Sequence, residues 1–297
     1  MESQICQGLH TKGLLILDKY ENTFIARGVN LPFAWYKNRS ISALKDISAI
    51  GCNAVRIVLS SGDMFAKTEI DEVEAILHAA DGEQITVILE VHDTTGYKES
   101  NEAVSLLTVV EYWATLLPIL KGRENSVIIN IGNEPYGNRA VEGWLEDTKK
   151  AIIELRTLGF THLLMVDAPY WGQDTGGIMK RAEGKVLRAD PLRNTCFSIH
   201  MYSNYQDSVV IEEYLNSFTQ SPIVIGEFGH STEYGDVDEI SILRIAHNLN
   251  IGYMAWSWCG NNEANKHLDL VENWDKERLT PWGEIFFSSQ YGILATE

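Results

Sequence analysis

The feature that most constrains this chain is a rhythm. Eight short, apolar, β-rich runs recur along it: FIARGVN (24–30), NAVRIVLS (53–60), ITVILEVH (85–92), VIINIGNE (127–134), THLLMVDAP (161–169), TCFSIHMY (195–202), PIVIGEFG (222–229) and IGYMAWSW (251–258). Their starts lie 29, 32, 42, 34, 34, 27 and 29 residues apart, which is room for a strand, a loop, a crossover helix and a return loop. Most are nearly continuous apolar runs, as parallel strands covered on both faces require.

The segments between the runs have helical signatures. Ser40 is placed to cap Ile41–Ile50, whose Ile41, Leu44 and Ile47 recur every three residues, with Gly51 at the stop position. Thr68 and Asp71 make a capping-box-like start for a helix carrying Ile70, Val73, Ile76 and Leu77. Trp144, Ile152 and Leu155 mark a helix closed by Gly159, and Thr280 followed by Pro281 opens the last one. Eight alternating βα units predict a closed (β/α)8 TIM barrel, with residues 1–297 as one domain. An open doubly wound sheet would usually carry a glycine-rich phosphate loop after its first strand, and none follows the first run. Leu14–Leu17 and Phe24–Ala26, flanking the turn-like Asp18–Asn22, predict a small hairpin that closes the barrel floor.

Charge excludes some partners. With 24 Lys and Arg against 41 Asp and Glu, the net charge of −17 repels nucleic acid and anionic membrane, and no basic run offsets it. No stretch of about 18 apolar residues marks a membrane span. Cys6, Cys52, Cys196 and Cys259 include no CxxC pair, so no cysteine zinc site is expected. Their disulfide state stays open, with Cys52 and Cys196 read as buried small hydrophobes. The N-terminal MESQICQGLH has neither a basic start nor an apolar core, so no signal peptide is visible. A cytoplasmic protein and a mature secreted form with an added start Met both fit; secretion is the expectation.

Barrel active sites sit at the C-terminal ends of the strands. There the runs turn polar: Arg56 in the second, His92-Asp93 ending the third, Asn133-Glu134 the fourth, His200 and Tyr202 in the sixth, Glu227 in the seventh, Trp256 and Trp258 in the eighth. Singly, each has an ordinary alternative. Arg56 could be a buried ion-pair partner, His92 a satisfied core histidine, Tyr202 and the tryptophans packing. Their gathering at one rim favours function.

Two glutamates facing each other across a cleft suit glycosidic bond cleavage, one carboxylic acid protonating the leaving oxygen and the other attacking the anomeric carbon. Arg56 and Tyr202 are expected to keep Glu227 ionised, and burial to hold the proton on Glu134. His200 and His92 are placed to orient these groups, and Asn133 to bind a sugar 2-hydroxyl. Because adjacent strand residues point to opposite sides, Asn133 and Glu134 share a site only if the strand ends or bulges there. Trp35, Trp171, Trp256, Trp258, Trp274 and Tyr136 lie at or after strand ends, where aromatic faces stack on sugars; Trp256 and Trp171 carry most weight. Trp113 and Trp144, in helical patterns, read as packing.

These residues resemble glycoside hydrolase family 5, specifically its bacterial endo-β-1,4-mannanases. The resemblance rests on Arg56 in VRIVLS, His92 in EVHD, Asn133-Glu134 in INIGNEPYG, His200 and Tyr202 in FSIHMY, Glu227 in VIGEFGH and Trp256 in AWSW. RGVN…AWYKN (27–38), VHDTTG (91–96), MVDAPYWGQ (165–173), ADPLRNT (189–195), GEFGH…GDVDE (226–239) and AWSWCGN (255–261) are similar to the mannanase-like subgroup. The likeness runs from about Gly13 to about Gly292. It implies retention by double displacement, with Glu134 as acid/base and Glu227 as nucleophile. It implies internal cleavage of β-1,4-mannan, glucomannan or galactomannan, with no cofactor and no catalytic metal; a monomer is expected. Two departures bear on substrate: Asn30-Leu31-Pro32-Phe33 stands where such mannanases often carry a histidine-bearing segment, and Pro135 follows Asn-Glu where an aromatic is common. An endo-β-1,4-glucanase on the same scaffold, a transglycosylase and a non-catalytic carbohydrate-binding barrel remain alternatives, although the last would be expected to lack one of the carboxylates.

Overall fold

The computed structural model describes residues 8–232 and 235–295; Cys6 and most of the N-terminal stretch read for a leader lie outside them. In chain order the strands are β1 (His10–Lys12), β2 (Leu15–Leu17), β3 (Arg27–Leu31), β4 (Ala54–Leu59), β5 (Thr86–Val91) and β6 (Val127–Asn130). They continue as β7 (Leu164–Asp167), β8 (Thr195–Met201), β9 (Ile223–Phe228), β10 (Ser231–Thr232), β11 (Gly235–Asp236) and β12 (Gly252–Ala255). Strands β3 to β9 pair in sequence, all parallel, and β12 closes the barrel between β9 and β3. Each predicted run supplies one barrel strand. The crossovers are helices α1 (Lys37–Ala49), α2 (Ile70–Gly82), α3 (Leu106–Leu120), α4 (Trp144–Leu158), α5 (Ile178–Ala189), α6 (Ser208–Leu215) and α7 (Glu239–Asn248), with α8 (Pro281–Ser288) after β12.

Two helix starts differ from expectation. Helix α1 begins at Lys37 because the backbone already coils through Pro32–Tyr36, and the Ser40 amide donates to the Tyr36 carbonyl. Ser40 is therefore buried inside the first turn, not a cap. In α2 the capping box lies one residue later, between Glu69 and Glu72. Thr68 is engaged elsewhere, its Oγ1 accepting the Ser60 amide at 3.1 Å. Gly159 in the left-handed region and the Thr280 side-chain cap fall where expected.

Strand alternation sorts the interior into two regions. Outward-facing residues such as Val55, Ile57, Val87 and Leu89 join the helices in one large core. Inside the barrel, Ala54, Ile88, Ile128, Met165, Cys196, Val224 and Met254 form a separate apolar layer near the strand starts. Leu9, Ile16, Phe24 and Ala26 pack against that layer and close the floor. The hairpin that does so pairs β1 with β2, and β2 then meets the following segment through Thr23 and Phe24, so the predicted Leu14–Leu17/Phe24–Ala26 pairing is its second half. Cys52, Cys196 and Cys259 are free and buried.

Candidate active site

Two residues above the apolar layer, the same strands turn polar. Arg56, Glu90, Asn130, Asp167 and Ser198 each stand at i+2 from an apolar floor residue, and all are fully buried. Arg56 is the hub. Its Nε donates to Asn130 Oδ1 (2.9 Å), Nη1 to Asn30 Oδ1 (3.0 Å) and Glu227 Oε1 (2.9 Å), and Nη2 to Asn133 Oδ1 (2.8 Å) and Asp167 Oδ2 (3.1 Å). Burial works against its charge, but Glu90, Asp167, Glu227 and Glu134 more than offset this and keep it protonated. Arg56 is thus a buried ion-pair partner, and its partners include both Glu227 and Asn133.

Glu227 reaches this hub through an irregularity. Strict alternation from inward-facing Val224 would turn Gly226 inward and Glu227 outward. The register slips instead: Ile199 pairs with Ile225, yet His200 pairs with Glu227, leaving Gly226 as an extra residue. The bulge re-aims Glu227 into the barrel. A side chain at 226 could not follow, since its Cβ would lie 2.2 Å from Ser198 Oγ.

Glu134 arrives by another route. Strand β6 stops at Asn130, and Glu134 adopts a φ of 41°, so Asn133 and Glu134 are freed from alternation and share the site. Asp167 Oδ2 accepts the Glu134 amide at 3.2 Å, and Asn133 Nδ2 donates to Thr95 Oγ1 at 2.8 Å.

The two carboxyl groups face one another. Glu134, His200 and Glu227 each present a ligand-type atom within 4.8 Å of the others. These atoms already have protein partners: His200 Nδ1 lies 2.7 Å from Glu134 Oε1, and Tyr202 donates its hydroxyl to Glu227 Oε2 at 2.8 Å. A cation here would compete with the Arg56 guanidinium, so the trio reads as an acid–base pair with its orienting histidine.

Burial pulls the His200 imidazole down, but the charges of Glu227 and Asp167 and the hydrogen bonds it donates to Asp167 and Glu134 outweigh it and raise it to about 10. Asp167 would be raised by burial, yet His200 and Arg56 hold it well below the usual carboxylate range. For Glu227 the balance tips upward: burial raises it and Glu134 adds to the rise, against the pull of His200 and Arg56. The expected neighbours are in place, but burial outweighs them. Burial and the nearby Glu227 and Glu134 charges push the Tyr202 hydroxyl well above its ordinary value, which keeps it a donor.

The glutamates open into a cleft of about 690 Å³ lined also by Tyr170, Trp171, Tyr202, Asn204 and Leu268. Gly96 lets Trp171 close over its backbone; a Cβ there would lie 2.3 Å from the indole. Trp35 and Trp256 do not line this cleft and gather around His92 instead. Trp256 stacks on the imidazole (5.9 Å, 25°) and Trp35 meets it edge-on at 5.3 Å. His92 Nδ1 is 2.9 Å from Glu90 Oε1. Burial lowers His92, but Glu90 outweighs it and the net shift is upward. Of the other aromatic candidates, Trp258 and Tyr136 are buried, and Trp274 lies in different grooves.

Comparison with known proteins follows the same line. The sequence profile of the Cellulase family (glycosyl hydrolase family 5) matches residues 17–262. The chain belongs to glycosyl hydrolase family 5. It is 47% identical over 272 residues to a Caldicellulosiruptor saccharolyticus protein named beta-mannanase/endoglucanase A, covering 91% of this chain but only 20% of that longer protein. It is 41% identical to a Streptomyces lividans mannan endo-1,4-beta-mannosidase, over 97% of this chain and 76% of the other. The crystal structure of a Streptomyces thermolilacinus beta-mannanase with mannohexaose superposes with a TM-score of 0.94 at 42% identity, covering 97% and 95% of the two chains.

In this family 5 hydrolase, Asn30, Glu90, Asn130 and Asp167 complete the hub, and the rim reading missed them. For three the signal was present: Glu90, Asn130 and Asp167 are each a polar residue inside an apolar run, two residues from a floor residue, whereas Asn30 ends its run two residues after Gly28. Asn261 was missed as well. It accepts the Trp256 indole N–H at 3.0 Å and donates to Asp269 Oδ1 at 2.7 Å, a pairing that no sequence spacing indicated.

Proposed function

We propose that this chain is a retaining endo-β-1,4-mannanase with Glu134 as acid/base and Glu227 as nucleophile. The observation that carries the mechanism is the approach of the two carboxyl groups to within 4.8 Å. That suits retention, in which the carboxyls stand about 5–5.5 Å apart, and leaves no room for the water between them that inversion needs. Their surroundings divide the roles. Glu227 accepts donors on both oxygens, from Arg56 and Tyr202, which orient its carboxyl group for attack. Glu134 lines the cleft, and among the described residues its side chain has one hydrogen-bond partner, His200.

In the first step Glu227 attacks the anomeric carbon as Glu134 gives its proton to the departing glycosidic oxygen. In the second, Glu134 takes a proton from water, and the resulting hydroxide displaces Glu227 from the glycosyl ester. The choice of mannan rests on the similarity to mannanases over nearly the whole chain.

The test is product release from galactomannan, glucomannan and carboxymethylcellulose, with the first anomer followed by NMR. Cleavage of both mannans with β-anomer appearing first is expected. Activity on carboxymethylcellulose alone would replace the substrate with cellulose. An α-anomer would overturn retention.

A further inference from the structure

Beyond the cleft, the surface carries a second aromatic face that the proposed reaction does not use. Tyr36 is 39% exposed, and its ring lies 5.5 Å from that of Trp274 at an angle of 57°. The pair is packed tightly from below, because Gly260 leaves no side chain where a Cβ would sit 2.7 Å from the Tyr36 ring. Two grooves, of about 690 and 430 Å³, meet at this point and share Arg39, Asn273 and Trp274 as walls. Trp274 thus stands between two open channels, with part of its indole packed on the core. Among the described residues Arg39 makes no ion pair, which leaves a planar donor beside the aromatic face.

The backbone gives an independent pointer. Asn273 and Trp274 both have positive φ, 55° and 68°. For a bulky residue this is a true outlier, and such outliers persist where the surrounding structure holds them. Hydrogen bonds from Glu272 N to Arg278 O (2.8 Å), Asp275 N to Glu272 O (3.1 Å) and Arg278 N to Asp275 O (3.0 Å) pin the turn. In the catalytic cleft the same device presents Trp171: Tyr170 and Trp171 are consecutive at 60° and 53°. An indole held out by two left-handed residues therefore occurs twice.

We propose that Tyr36 and Trp274, with Arg39 and Asn273 beside them, form an accessory binding face for a β-1,4-linked sugar chain. The occupant is a segment of the polysaccharide that lies outside the cleavage cleft. Aromatic faces stack on the apolar C–H faces of neutral pyranose rings while the guanidinium and amide meet the hydroxyls. This rests on the mannanase reading for the identity of the sugar.

The test compares Trp274→Ala, Trp274→Phe and Tyr36→Ala with wild type on an aryl β-mannobioside and on galactomannan polymer, with melting curves for each. On the short substrate kcat and KM are expected unchanged. On the polymer, Trp274→Ala should raise KM by about fivefold as the stacking face is lost, and Trp274→Phe should recover most of it. Unchanged polymer kinetics, or an equal loss on both substrates, overturns the binding face. If Trp274→Ala does not fold, Tyr36→Ala carries the same comparison. Should wild type cleave no mannan, the failure belongs to the mannanase reading. Retardation of wild type and Trp274→Ala in glucan- and mannan-containing gels then decides the binding face, and equal mobility overturns it.

Discussion

Two layers of the same barrel, one residue pair apart on the same strands, do opposite work. At the floor, Ala54, Ile88, Ile128 and Met165 fill the interior with apolar side chains and are sealed by Leu9 and Ile16. One step up, Arg56, Glu90, Asn130 and Asp167 bury charge and amides in the same enclosed space. The floor gains stability from removing apolar area from water. The upper layer bears a desolvation cost, offset only because nearly every group has a partner. The difference shows what the polar layer is for: it holds Asn133, Glu134 and Glu227 in place around one guanidinium.

That contrast can be broken at its top first. Glu227→Ala should reduce kcat by about 10⁴-fold, roughly 5–6 kcal/mol of barrier, while the melting temperature holds or rises. A fall in stability to match would mean that Glu227 is structural. Arg56→Ala comes next, leaving Asp167 and Glu227 buried without their cation. A loss of about 3–5 kcal/mol in urea unfolding is expected, together with loss of activity. At the floor, Ile128→Ala should cost about 2–5 kcal/mol by opening a cavity, with kcat per folded molecule unchanged. If Ile128→Ala impaired catalysis as Arg56→Ala does, the two layers would not be separable.

The smallest effect is a pH dependence. His200 is raised to about 10, so its stabilising contribution is complete below the unfolded histidine value of about 6.5 and is lost as pH rises through the folded one. The melting-temperature gap between wild type and His200→Gln should therefore be widest near pH 6 and narrow toward pH 10. A constant gap would show that His200 carries no extra proton in the folded state.

Much of this was legible in the chain. The eight runs gave eight barrel strands, and of their polar residues Asn133 and Glu227 bond Arg56 directly, while His200 and Tyr202 bond Glu134 and Glu227. The rim reading overlooked Glu90, Asn130 and Asp167 although alternation places them, because it attended to strand ends and not to the layer beneath. Helix starts at Ser40 and Thr68 were misplaced for different reasons: the coil through Pro32–Tyr36 starts α1 three residues before Ser40, and the Thr68 side chain accepts the Ser60 amide. Trp258 and Trp274 could not be sorted from Trp171 by position alone, since which way an indole faces depends on the loops that pack around it.

What the sequence determined by itself is what short-range pattern can encode: strand count, parallel order, and the residue types available at the rim. The bulge at Gly226, the left-handed backbone at Glu134 and the pairing of Trp256 with Asn261 were decided only by the tertiary structure. The first two depend on contacts between segments far apart in the chain, Ser198 against Gly226 and Asp167 against the Glu134 amide. A carboxylate's direction changes by half a turn with one extra residue in a strand, and only its neighbours in space fix whether that residue is accommodated.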